Sequence, residues 1–165
     1  MPEFDPNAAA KPGSGIFGLP FAVEDSRVVI VPAPIDITTS YRPGTANGPA
    51  AILAASHQVD LYDCEVVEPY KQGIAMLPIY DGDLTNNAAT RILAADIIAQ
   101  GGDVEGNPRL QSQQNWVNDV TGDFHGRIQA TVANFLRGGK IVFTLGGDHS
   151  VAYGPIRAHL ERFPE

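Results

Sequence analysis

The chain has 165 residues, 44% hydrophobic and 18% charged, which is enough apolar content for one globular domain and too much for a disordered tract. Its formal net charge is −8 with a pI near 4.8, and this argues against nucleic acid or an anionic membrane as partner, since both need clustered Lys and Arg. An acidic surface suits a cationic substrate, and it equally suits solubility alone.

Residues 1–26 are rich in Pro, Gly and Ala and predict an extended N-terminal arm, with Phe17, Leu19 and Phe21 able to pin it to a neighbouring surface. The opening residues, Met1-Pro2-Glu3-Phe4-Asp5-Pro6, have neither the basic start nor the apolar run of a signal peptide. Arg27-Val28-Val29-Ile30-Val31 is a β-branched run without polar alternation and predicts a strand buried on both faces, ended by Pro32 and Pro34. A long loop follows. Gly48-Pro49 then opens a short helix to about Ser56, with proline where a missing N–H does no harm.

Gly73-Ile74-Ala75-Met76-Leu77 predicts the next strand, and Tyr80-Asp81-Gly82-Asp83 a turn in which aspartates do turn chemistry. Asn86 or Asn87 is positioned to cap a helix through about Gln100, burying Ile92, Leu93, Ile97 and Ile98. Trp116, Val120, Phe124, Ile128, Val132 and Leu136 recur every four residues, with Val117 and Phe135 beside them, and predict a long amphipathic helix closing at Gly138-Gly139. On it, Asp119, Asp123 and His125 are expected on the wet face. His57 and His159 are expected at or near the surface. Lys140 to Leu145 predicts another buried strand, and a last helix runs from about Val151 to Phe163. The alternation implies an α/β fold: a mainly parallel sheet between helices on both faces, in three layers, with residues 27–165 forming part of one domain.

In such sheets ligands collect at the carboxyl ends of strands, and Leu145-Gly146-Gly147-Asp148-His149-Ser150 lies at one. Gly146 and Gly147 allow a sharp turn, His149 then projects from the strand end, and Asp148, with Ser150 beside it, can orient a neighbouring group. Taken alone the pattern stays open, because any turn can carry a histidine. Tyr41 and Arg42, in the loop from Thr38 to Thr45, either border a pocket or subunit contact or simply shape a tight loop. Cys64, the one cysteine, excludes an internal disulfide and fits a reducing cytosol. With no stretch near the ~18 apolar residues of a membrane span, a soluble cytoplasmic protein is expected.

The Gly146–Ser150 segment resembles the first metal-binding motif of the ureohydrolases, the family of arginase and agmatinase. Ser40-Tyr41-Arg42-Pro43-Gly44-Thr45-Ala46-Asn47-Gly48-Pro49-Ala50-Ala51-Ile52 is similar to the loop and helix start near that family's N-terminus, and Gln58-Val59-Asp60-Leu61-Tyr62-Asp63 fits between the two. The resemblance covers about residues 16–165 and, through the first loop and Gly18-Leu19-Pro20-Phe21, is nearest to agmatinase. It implies hydrolysis of a guanidino C–N bond, agmatine giving putrescine and urea, with guanidinobutyrate, arginine and formimidoylglutamate as alternative substrates. It implies a hydroxide held by two Mn²⁺ ions per subunit and a homo-oligomer. His149 corresponds to a ligand of one metal. The family's other ligands, in an Asp-x-His-x-Asp and a Ser-x-Asp-x-Asp motif, lie beyond Glu165. No catalytic residue is therefore expected within this chain, which is expected to be inactive alone: a truncated frame, or half of an enzyme completed by a C-terminal chain.

Overall fold

The computed structural model describes residues 4–164. Three strands, β1 (Val28–Ala33), β2 (Ile74–Met76) and β3 (Ile141–Gly146), form one parallel sheet in the order β2-β1-β3. The helices are α1 (Gly48–Ser56), α2 (Asp81–Ala99), α3 (Pro108–Arg137) and α4 (Tyr153–Arg162). From β1 the chain crosses through α1 to one side, and from β2 it returns through α2 and α3 to the other. Right-handed crossovers in opposite directions put their helices on opposite faces. The α/β architecture with helices on both faces is thus the one the sequence implies.

Central β1 buries Val29, Val31 and Ala33 to 2% exposure or less, in one cluster with Phe124, Ile128, Val132 and Leu136 of α3. The strand does not stop at Val31; it runs through Pro32 to Ala33. Beyond Ile30 it pairs only with β3 (Pro32 opposite Leu145), so the proline's missing N–H faces the side from which β2 has already departed.

Two helices differ from expectation. α2 begins at Asp81, not at Asn86 or Asn87, so Asp81-Gly82-Asp83 is a first helical turn rather than a loop, and its carboxylates favour that end. Its buried line is Asp83, Asn87, Thr90, Ala94 and Ile97, whereas Ile92 is exposed. On α3 the line from Phe124 to Leu136 is buried as expected, but its upstream continuation is Val117 and Leu110; Trp116 is 57% exposed. Asn107 caps α3 by accepting from the Leu110 amide at 3.2 Å, ahead of Pro108 in the first turn.

β3 is not buried on both faces. It is an edge strand, with Ile141 and Phe143 on its open face 44% and 58% exposed. Part of the lead-in is fastened: Ile16 and Leu19 are 1% exposed, the Phe17 amide donates to Ser56 Oγ at 2.9 Å, and Lys140 Nζ donates to the Val23, Glu24 and Ser26 carbonyls. Phe17 and Phe21 are half-buried. Residues 1–3 of the expected arm lie outside the described residues.

Candidate metal centre at the strand ends

The carboxyl ends of β1 and β3 are joined backbone to backbone past the last ladder pair. The Gly147 amide donates to the Ala33 carbonyl at 3.2 Å and the Asp148 amide to the Ile35 carbonyl at 3.0 Å. The approach is so close that a Cβ on Gly147 would fall deep inside the van der Waals radius of the Ile35 oxygen. Glycine is required here for space.

Asp148 holds the turn with both carboxylate oxygens. Oδ2 accepts from the Thr38 amide (3.3 Å), Thr38 Oγ1 (3.0 Å) and Thr39 Oγ1 (3.3 Å). Oδ1 accepts from the amide (2.9 Å) and hydroxyl (2.5 Å) of Ser150, capping a 3₁₀ turn over His149–Ala152. Asp148 is therefore a brace between the loop after β1 and the turn after β3. His149 follows it, exposed at the carboxyl rim of the sheet.

The same loop has a second anchor. Asp36, 3% exposed, accepts from the Gly44 amide (2.5 Å), the Ala46 amide (3.3 Å) and Asn87 Nδ2 (3.0 Å), while its own amide donates to Asn87 Oδ1 (2.7 Å). Burial pushes the Asp36 carboxyl up, but the Gly44 amide, Asn87, the Ala46 amide and the charge of Arg91 outweigh it and hold the group below its usual range. Arg91 also donates to the Ile37 carbonyl at 2.9 Å. No local pattern in the sequence announces this pairing, because its partners lie 51 residues apart.

Between the anchors, Tyr41 is 74% exposed and the Arg42 guanidinium lies 5.2 Å from its ring centroid. Arg42 adopts φ +51°, a left-handed conformation that costs a non-glycine residue about 1 kcal/mol or more. The structure brings the Tyr41–Arg42 loop and the His149 turn to the same rim, joined through Asp148.

His125 departs from expectation. It is half-buried, its ring centroid 5.5 Å from that of Tyr153 and 6.0 Å from that of Phe124, and its Nε2 is buried without a hydrogen-bond partner. Burial lowers its pKa, and the opposing charge of Asp148 only partly offsets this. α4 covers that side of α3; a Cβ on Gly154 would lie 2.6 Å from the His125 carbonyl oxygen. Asp119 and Asp123 are exposed as expected. Asp83 is 5% exposed and paired to Arg127, whose guanidinium lies against Tyr80 and Phe124; burial nevertheless pushes the Asp83 carboxyl up against the pull of that charge. His57 is half-buried with Nε2 3.1 Å from the Gly15 carbonyl, and His159 and Cys64 are exposed.

A hollow of about 1020 Å³ lies between residues 6–12 and 57–70, and no residue of this rim lines it. Among the described residues, no three His, Cys, Asp or Glu side chains group to hold a metal ion. His149 offers one donor, and Asp148 is occupied on both oxygens by hydrogen bonds. The residues present do not form a two-manganese site by themselves, and no chemical step follows from them alone. No helix among the described residues is long and apolar enough to cross a membrane.

Comparison with known proteins agrees with this arrangement. Two N(1)-aminopropylagmatine ureohydrolases from strains of Thermus thermophilus are 31% identical over 138 residues (84% of this chain, 36% of the relative) and 30% identical over 142 residues (86% and 37%). One from Synechocystis is 31% identical over 134 residues (81% and 35%). The chain thus spans little more than a third of the length of these curated relatives. No solved structure matches at a significant level. The profile described as Arginase family matches residues 26–165, from the start of β1 past the His149 turn, and the chain belongs to that family.

Proposed function

We propose that this chain is the N-terminal part of a ureohydrolase that cleaves a guanidino C–N bond and releases urea. The observation that carries the reading is the place of His149: within the family match, at the carboxyl rim of a parallel sheet, on a turn braced by Asp148. In this reading His149 is one ligand of a manganese pair, and the remaining ligands come from sequence outside this chain, in the same protein or in a separate C-terminal chain. The substrate is a guanidino amine: agmatine, on the resemblance of the Ser40–Ile52 loop, or its N(1)-aminopropyl derivative, on the names of the relatives. The acidic surface favours approach of such a cation.

The test measures urea released from agmatine, N(1)-aminopropylagmatine, guanidinobutyrate and arginine, with Mn²⁺ supplied. The 165-residue chain alone is expected to give no turnover, and the chain joined to or mixed with a C-terminal half carrying the missing motifs is expected to give turnover that His149→Ala abolishes. Turnover by the chain alone above its own His149→Ala control would refute the incomplete-site reading. An assembled enzyme indifferent to His149→Ala would refute the ligand role.

A further inference from the structure

Asn87 lies in the interior of α2, a helix that carries no residue of the His149 turn or of the Tyr41–Arg42 loop, and it is 8% exposed. A buried amide in a helix interior is expensive unless both ends of it are used. Here both are: Oδ1 accepts from the Asp36 amide and Nδ2 donates to the Asp36 carboxylate. The other oxygen of Asp36 accepts from the Gly44 and Ala46 amides. The loop is therefore closed by a carboxylate whose orientation is fixed from α2. Two residues further on, the same loop supplies Thr38 and Thr39 to Asp148, and Asp148 caps the turn that presents His149. A continuous series of hydrogen bonds runs from Asn87 through Asp36, the loop and Asp148 to the Ser150 amide.

We propose that Asn87 is a positioning residue for the His149 turn, acting through Asp36 and the Thr38–Thr39 segment. Asn87 touches nothing that reacts. It sets the loop, and the loop sets Asp148. The meaning of that turn for catalysis rests on the ureohydrolase reading, but the coupling itself does not.

Amide hydrogen exchange on the full 165-residue chain tests the coupling, with the Val132 amide in α3 as internal reference for global opening. Asn87→Asp opposes two carboxylates, and it is expected to speed exchange at Gly44, Ala46, Asp148 and Ser150 by at least about tenfold while Val132 is unchanged. The exchanged pair Asp36→Asn with Asn87→Asp restores every donor to an acceptor. In it the carboxamide at position 36 turns its oxygen to the Gly44 and Ala46 amides and its NH₂ to the carboxylate now carried by α2. The pair is expected to return all four amides to within about threefold of the original rates. Thr38→Val with Thr39→Val removes both hydroxyl donors of the middle link, leaving only the Thr38 amide on Asp148, and is expected to speed Asp148 and Ser150 while sparing Gly44 and Ala46. The proposal is overturned if Asn87→Asp speeds Gly44 and Ala46 but not Ser150, or speeds Val132 equally. Should Asn87→Asp not fold, the Thr38–Thr39 variant and the exchanged pair decide, and an unchanged Ser150 amide in the former overturns it. If the coupling holds but an assembled enzyme tolerates His149→Ala, the ureohydrolase reading fails and the positioning role stands.

Discussion

A methyl group at Gly147 would press into the Ile35 carbonyl that receives the Asp148 amide, so Gly147→Ala must part the ends of β1 and β3 or turn that peptide. Overpacking against backbone cannot relax by a rotamer change, and a loss of about 2–4 kcal/mol is expected in urea unfolding. His125 makes a different prediction. Its pKa is depressed in the folded chain, so its contribution is complete above the unfolded value of about 6.5, where both states are neutral, and is lost as pH falls through the folded value. Stability measured against pH should therefore begin to fall below about pH 6.5, ahead of the loss from Asp36, whose carboxyl is held below its usual range and so gives up its contribution only once pH falls below the ordinary aspartate value of about 3.9. His125→Phe keeps a ring against Tyr153 and removes the titration; the first part of that fall should disappear, and a curve identical to the original would refute the assignment. His149 and Asp148 were legible in the sequence because two glycines after a β-branched run mark a strand end. Asp36, Asn87 and His125 were not, since a pairing across 51 residues leaves no local pattern and a polar residue in a helix looks like a cap or a wet face.

At the scale of elements, the four-residue spacing identified α3 correctly, but a helix this long turns its stripe away from any fixed series of positions. The core line therefore passes from Phe124 back to Val117, leaving Trp116 outside. Unfolding measurements should separate the two: Ile128→Ala, at a site 2% exposed, is expected to cost about 2–4 kcal/mol, and Trp116→Ala less than about 1 kcal/mol. Gly122, exposed in the middle of the same helix with open space where a Cβ would go, should behave oppositely to Gly147. Gly122→Ala is expected to stabilise by about 0.5–1 kcal/mol. The start of α2 was misplaced for a related reason. Asp-Gly-Asp has turn composition, yet Asp83 is drawn inward by Arg127 from α3, a tertiary partner that local propensity does not register.

For the whole molecule, the sequence conveyed the parallel sheet and its carboxyl rim but not which strand would be left at an edge, because a β-branched run looks the same in both places. β3 pairs only with β1 among the described residues, with Ile141 and Phe143 exposed on its open face. α4 shows Tyr153, Ile156 and Leu160, and Phe163 just past its end is exposed with them. An unpaired strand beside uncovered apolar side chains is a template for further pairing, and the matched segment is little more than a third of each relative. The proposed occupant is the C-terminal half, continuing the sheet from β3. Without it the edge should drive self-association that light scattering and sedimentation detect. Phe143→Lys puts a charge on the open face of the edge and should reduce that association. In the presence of a C-terminal half the same lysine would be buried without a partner, so it should weaken assembly and urea release together. A wild-type chain that stays monomeric alone, or an assembled enzyme that accepts Phe143→Lys without loss, would place the remaining ligands against some other face of this half.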